Sequence, residues 1–132
     1  APPYSTAIDP LQSAAHIISE KRCGRTKSIS AEAVAQHLAN CEELLLLDVR
    51  TPEEHAEEWI DGSRLLPLSQ LRQQLGSLPR QIPIVTFCQF GLRGFEAAQI
   101  LAAAGFDQVC FMEGGIHLWP LPLRFRAPIN VP

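Results

Sequence analysis

In the run Cys88-Gln89-Phe90-Gly91-Leu92-Arg93-Gly94, a cysteine is followed by two glycines and an arginine. A short loop of this composition can turn several backbone N–H groups inward as an anion nest, because glycine tolerates the backbone angles a nest requires. A helix starting within the same turn adds its positive end, and Arg93 adds a full charge. All three effects favour thiolate over thiol, and the thiolate is the nucleophile. A lone cysteine after a strand is more commonly a small buried hydrophobe. The two glycines and the arginine weigh for a reactive Cys88.

No other group competes for this role. Cys23, Cys41 and Cys110 have no glycine–arginine context, and Cys110 lies in an apolar stretch where burial is the ordinary explanation. His16, His37, His55 and His117 show no metal-ligand spacing with one another or with cysteine, so no metal site is expected. Glu53, Glu54, Glu57 and Glu58 read as the solvated face of a short helix whose dipole suits them. No chemistry is assigned to them. Asp48 and Arg50 end a strand close to the cysteine edge, where orientation of the loop is one reading.

The elements that must position Cys88 follow from periodicity. Ile84-Val85-Thr86-Phe87 is a buried strand running into the loop, and Ala97, Ala98, Leu101 and Ala104 mark a helix closed by Gly105. Leu44 to Val49 is a second buried strand, and Gln108 to Met112 a third. Ser28 and Ile29 predict a short strand, and Ser30 caps a helix to about Ala39. Thr51-Pro52-Glu53-Glu54 is a capping box with proline at the first helical position. Asp61-Gly62 turns the chain into a brief strand near Leu65, and Leu68, Leu71 and Leu75 predict a short helix ending before Gly76. Upstream, Asp9-Pro10 opens a helix with Leu11, Ala14, Ala15 and Ile18 on one face, and Lys21 to Lys27 reads as a linker. From Pro120 onward the prolines predict an extended tail. Alternating strands and helices predict an α/β domain with a mainly parallel sheet. In such sheets ligands gather at the carboxyl ends of strands, where Cys88 stands.

With 132 residues, 46% hydrophobic and 19% charged, the chain has the balance of a single globular domain. A formal net charge of -3 suggests neither nucleic acid nor membrane as partner, and no apolar run approaches the length of a membrane span. The four cysteines form no CxxC pair and no secretory signal precedes them, so they are expected reduced and the protein cytoplasmic. Because the chain begins with Ala1 rather than methionine, processing or a fragment cut from a longer protein is expected.

The motifs resemble the rhodanese-like sulfurtransferase family, whose active loop opens with the catalytic cysteine. Cys88–Arg93 matches that loop. Leu47-Asp48-Val49-Arg50 with Thr51-Pro52-Glu53-Glu54, Ile60-Asp61-Gly62-Ser63 with Leu66-Pro67-Leu68, and Glu113-Gly114-Gly115 with Trp119 follow in the family's order. Trp59 stands where members often carry a non-catalytic histidine. The resemblance implies a rhodanese-like α/β domain over residues 28–119, with a mainly parallel sheet flanked by helices on both faces and a proline-rich tail over 120–132. It also implies mostly structural roles for Asp48 and Arg50.

A narrower resemblance, carried by Gly91-Leu92-Arg93-Gly94-Phe95 and by Ala1-Pro2-Pro3-Tyr4-Ser5 with Asp9-Pro10, is to flavoproteins of the coenzyme A-disulfide or persulfide reductase type, which carry a rhodanese domain at their C-terminus. Residues 1–27 would then be the edge of a preceding flavoprotein domain. FAD, NAD(P)H and coenzyme A are implied only for that parent, since this chain has no GxGxxG and no cofactor of its own is expected.

The implied activity is transfer of sulfane sulfur as a Cys88 persulfide, from thiosulfate, a polysulfide or a persulfide to a thiol or cyanide. Cys88 and Arg93 would be catalytic, with Gln89, Phe90, Gly91, Leu92 and Gly94 holding the substrate through the loop. Two alternatives stand beside it. A cysteine phosphatase or arsenate reductase needs a loop one residue longer between cysteine and arginine. A non-catalytic interaction module of the same fold typically lacks the cysteine.

Overall fold

The computed structural model describes residues 22–23 and 26–125. The helix expected after Asp9-Pro10 lies outside the described residues.

Two apolar runs form the sheet's centre. Strand β3 (Leu45–Asp48) and strand β6 (Ile84–Phe87) are rich in the β-branched, leucine and aromatic residues that fill a doubly covered sheet. They pair in parallel with Leu45 beside Ile84 and Asp48 beside Phe87. Between and around them lie β1 (Arg22–Cys23), β2 (Thr26–Ser30), β4 (Glu58–Trp59), β5 (Arg64–Leu65), β7 (Val109–Glu113) and β8 (Arg124–Phe125). The main sheet has six strands in the order β1-β2-β7-β6-β3-β5, with only β1 antiparallel. Strand β6 thus sits inside the sheet, and the chain leaves its carboxyl end through Cys88.

Side chains alternate between two cores, as a strand's period of two requires. Leu47 and Ile84 face one core with Leu71, Ala97, Ala98 and Leu101. Leu46, Val85 and Phe87 face the other with Ile29, Val34, Met112 and Ile116. The first core is covered by α3 (Leu68–Leu71) and α4 (Leu92–Ala103), and the second by α1 (Ala31–Ala39) and a 3₁₀ turn, Gly115–Leu118. Helix α2 (Pro52–Glu57) buries no residue. It is held by its cap: Thr51 Oγ1 accepts from the Glu54 amide at 3.2 Å, and Glu54 Oε1 accepts from the Thr51 amide at 3.0 Å. Ser30 caps α1 as expected, its Oγ accepting from the Ala33 amide at 3.1 Å.

Three segments depart from the sequence reading. The stretch Lys21 to Lys27, expected to be a linker, contributes β1 and the start of β2, because Arg22 and Cys23 pair with Lys27 and Thr26. The helix expected to stop before Gly76 continues from α3 as 3₁₀ turns through Arg72–Ser77. In the described part of the tail expected to be extended after Pro120, β8 pairs antiparallel with β4 and Leu123 packs against the second core. Among the described residues no helix is long and apolar enough to cross a membrane.

Candidate active site

Cys88 follows directly on β6, with 2% of the residue exposed, and the next residues turn sharply into α4. Gly91 makes that turn possible: its φ of 142° is a conformation L side chains rarely adopt. There its N–H donates to Cys88 Sγ at 3.1 Å.

The loop is fixed from behind. The Cys88 carbonyl accepts from the Ile116 amide at 2.8 Å, and the Gln89 carbonyl accepts from the His117 amide at 3.1 Å. In a trans peptide the N–H points opposite to the C=O, so the amides of Gln89 and Phe90 face away from the Gly115–Leu118 turn, on the loop's inner side. This close approach demands glycine at position 115, where a Cβ would collide with the Cys88 carbonyl oxygen. At the other end, the first helical hydrogen bond of α4 is Phe95 N–H to the Gly91 carbonyl at 2.9 Å. The amides of Leu92, Arg93 and Gly94 are therefore first-turn donors without an intrahelical acceptor. With the Gly91 N–H on the sulfur and the first-turn donors of α4 following it, the loop has the make-up of an anion-binding turn at a helix N-terminus.

Below the loop lies a buried ion pair. Asp48 is 0% and Arg50 1% exposed. Arg50 Nε and Nη2 donate to the Asp48 carboxylate at 2.9 and 2.8 Å, and Nη2 also donates to the Glu58 carbonyl at 2.7 Å. Its Nη1 donates to Gln89 Oε1 at 3.2 Å, which ties the pair to the loop. His55 Nδ1 stands 2.9 Å from Asp48 Oδ2.

The loop arginine is engaged as well. Arg93 Nη1 and Nη2 donate to Glu54 Oε1 and Oε2 at 2.7 and 2.9 Å, a two-point pair between the first turns of α4 and α2. The hydrogen bond from Arg93, together with those from Thr51, holds the Glu54 carboxyl down at about 2 against the opposing effect of burial. Arg93 is pushed above its ordinary value, first by the hydrogen bond to Glu54 and further by the nearby Cys88. Glu54 was read from sequence as solvated surface and given no chemistry. The solvated part of that reading is corrected, and no local signal could have shown the pairing, since its partner lies 39 positions away on another helix.

The other predicted residues fall around this centre. Phe90 and Leu92 project outward, 65% and 75% exposed, and Phe90 rests against the His117 ring at 5.1 Å between centroids. Gly94 lies in the first turn of α4 against β6, where a Cβ would stand 3.1 Å from the Phe87 Cα. Of the remaining cysteines, Cys110 is buried in β7 and burial pushes its thiol up to about 12, while Cys41 is exposed on its own. Arg93 also lines a cavity of about 380 Å³ with Arg72, Glu96, Leu68 and Ile100. A concavity of about 430 Å³ between α1 and Pro120–Leu121 has no nucleophile or cation in its lining. Among the described residues no group of three or more His, Cys, Asp or Glu is placed to hold a metal ion.

The sequence model of the Rhodanese-like domain family matches residues 30–120. The chain is 33% identical over 104 residues to a sulfurtransferase of Allochromatium vinosum, covering 79% of this chain and 94% of that one. Its fold matches the crystal structure of a rhodanese-like domain protein from Staphylococcus aureus with a TM-score of 0.71 and 28% identity, over 77% of this chain and 100% of that one. It also matches the reduced Bacillus anthracis protein described as CoADR-RHD, with a TM-score of 0.67 and 33% identity. That match covers 90% of this chain and 21% of the other.

Proposed function

The chain belongs to the rhodanese-like domain family, and from that premise we propose that it is a sulfurtransferase that carries sulfane sulfur on Cys88. The observation that carries the reading is the Gly91 N–H donated to Cys88 Sγ inside a loop whose carbonyls are drawn to the other side. A backbone donor so placed stabilises negative charge on the attacking sulfur and on the persulfide that replaces it. The Cys88 thiolate attacks the outer sulfur of thiosulfate, a polysulfide or a persulfide. As the new S–S bond forms the old one breaks, and its electron pair departs with sulfite or a thiolate. A thiol or cyanide then attacks the outer sulfur of the Cys88 persulfide, and the Cys88 thiolate is released for another round.

The amides of Gln89, Phe90, Gly91, Leu92 and Gly94 and the guanidinium of Arg93 surround the position of that terminal sulfur. Arg50 holds the Gln89 side chain and so fixes the loop. The setting we propose is a larger FAD-dependent reductase, supported by the likeness to CoADR-RHD, of which this chain spans 21%. In that setting FAD, NAD(P)H and coenzyme A belong to the parent, and no step on this chain runs through them.

Cys88→Ser tests the reading, because oxygen cannot form the persulfide while the loop's packing changes by one atom. Thiocyanate production from thiosulfate and cyanide is expected to disappear in the variant with its thermal unfolding preserved. Undiminished production would contradict the assignment of Cys88.

A further inference from the structure

A chain of hydrogen bonds runs from the surface to the residue that follows Cys88. His55 Nδ1 stands 2.9 Å from Asp48 Oδ2, the oxygen that also accepts from Arg50 Nη2 at 2.8 Å. Asp48 Oδ1 accepts from the Arg50 amide at 3.0 Å and from Arg50 Nε at 2.9 Å. Arg50 Nη1 in turn donates to Gln89 Oε1 at 3.2 Å, a longer contact than any of these and so the first to part if the guanidinium shifts. Asp48 and Arg50 are sealed, whereas 24% of the His55 side chain is exposed, which makes His55 the end of the chain that meets solvent.

Gln89 is thereby held from two sides, its side chain by Arg50 and its carbonyl by the His117 N–H. The tilt of the Gln89–Phe90 peptide is set by both, and with it the direction of the Phe90 N–H on the inner side of the loop. A carboxylate turns readily about the last bond of its side chain, because torsions of that kind have broad minima. Arg50 grips the Asp48 carboxylate from its own strand end, and His55 grips Oδ2 from helix α2.

The ring of His55 also lies against Trp59, with centroids 5.7 Å and planes 25° apart. A phenyl ring would serve that packing equally well. The nitrogen beside Asp48 is what histidine adds.

We propose that His55 is a positioning residue for the cysteine loop, which by holding Oδ2 of Asp48 keeps Arg50 turned toward Gln89 and the loop amides turned inward. Its effect on rate rests on the sulfur-transfer reading. Its effect on the order of the loop does not.

Variants at position 55 separate the ring from the nitrogen. His55→Phe keeps a ring against Trp59 and loses the nitrogen, His55→Asn offers a side-chain amide to Asp48 and loses the ring, and His55→Ala loses both. Helix α2 buries no residue, so all of them should keep a cooperative thermal unfolding transition. Each is read by single-turnover loading of sulfur from thiosulfate onto Cys88, followed by protein mass, and by hydrogen exchange of the peptide containing Gln89 and Phe90. Loading is expected to slow about fivefold in His55→Phe and His55→Ala, equivalent to about 1 kcal/mol and to one net hydrogen bond, while exchange of that peptide quickens. His55→Asn should restore most of both.

Loading and exchange in His55→Phe that match the unmodified protein, or a His55→Asn as impaired as His55→Ala, overturn the inference, because the ring rather than the nitrogen would then matter. If the unmodified protein takes sulfur from neither thiosulfate nor an organic persulfide, the sulfur-transfer reading falls. Exchange of the loop peptide then decides the positioning role by itself, upheld by quickening in His55→Phe with recovery in His55→Asn and overturned without them.

Discussion

Two arginines flank the Cys88 loop and are built in opposite ways. Arg50 is 1% exposed and bonded to Asp48, two residues earlier on the same strand end. Arg93 keeps a third of its side chain exposed and is bonded to Glu54, 39 positions away on another helix. The first pair was made by one short piece of chain and then sealed beneath the loop. The second exists only because the fold brings two helix starts together. A buried pair cannot be varied without leaving a charge in the core, whereas a half-exposed pair can be loosened or retuned at small cost to the fold. Arg50 therefore suits a fixed support, and Arg93 a charge that can be altered without disturbing the core.

The comparison breaks most visibly at Arg50. Arg50→Ala leaves Asp48 buried without its guanidinium, with His55 and a backbone N–H as its remaining contacts, and frees Gln89, so a loss of about 3 kcal/mol in unfolding free energy is expected by denaturant titration. A loss near that of a surface ion pair would mean that the pair is not the support described. Arg93→Ala should affect rate more than stability. A rise of about 1–2 kcal/mol in the barrier to sulfur transfer is expected, because the backbone donors remain and charge beside an open cleft is screened. Removing Glu54 as well should return part of that rise, since the double variant no longer leaves a bare carboxylate where the Arg93 guanidinium stood.

The smallest effect is on acid stability. Glu54 has its carboxyl lowered from 4.5 to about 2 in the folded protein, so its stabilisation is fully present above about 4.5 and is lost as pH falls through about 2. The melting temperatures of the unmodified protein and Glu54→Gln should therefore converge as pH is lowered across that window. A gap that stayed constant or widened there would show that Arg93 does not hold Glu54 in solution.

Much of this site could be read along the chain because it is local. The apolar run of β6, the glycines of the loop and the alanine-spaced face of α4 lie in sequence order, and the resemblance to the family rested on the same residues. The capping box at Thr51 was equally plain, since both of its bonds close within one turn. What stayed hidden depends on contacts between distant segments. Glu54 reads as an ordinary helix-start carboxylate until α2 and α4 are placed side by side, and Arg50 reads as a strand end until Gln89 is seen to accept its Nη1. The small sheet of β4 and β8 was invisible for the same reason, because two-residue strands have no periodicity of their own.

The central claim is that Cys88 itself carries the sulfur. Mass measurement of the protein after exposure to thiosulfate and, separately, to an organic persulfide, with peptide mapping and then cyanide treatment, tests it directly. The account predicts one added sulfur atom on the peptide containing Cys88, removed by cyanide, and no such addition in Cys88→Ser. Sulfur found on Cys110 or Cys23 instead, or a Cys88 peptide unchanged by either donor, would contradict it.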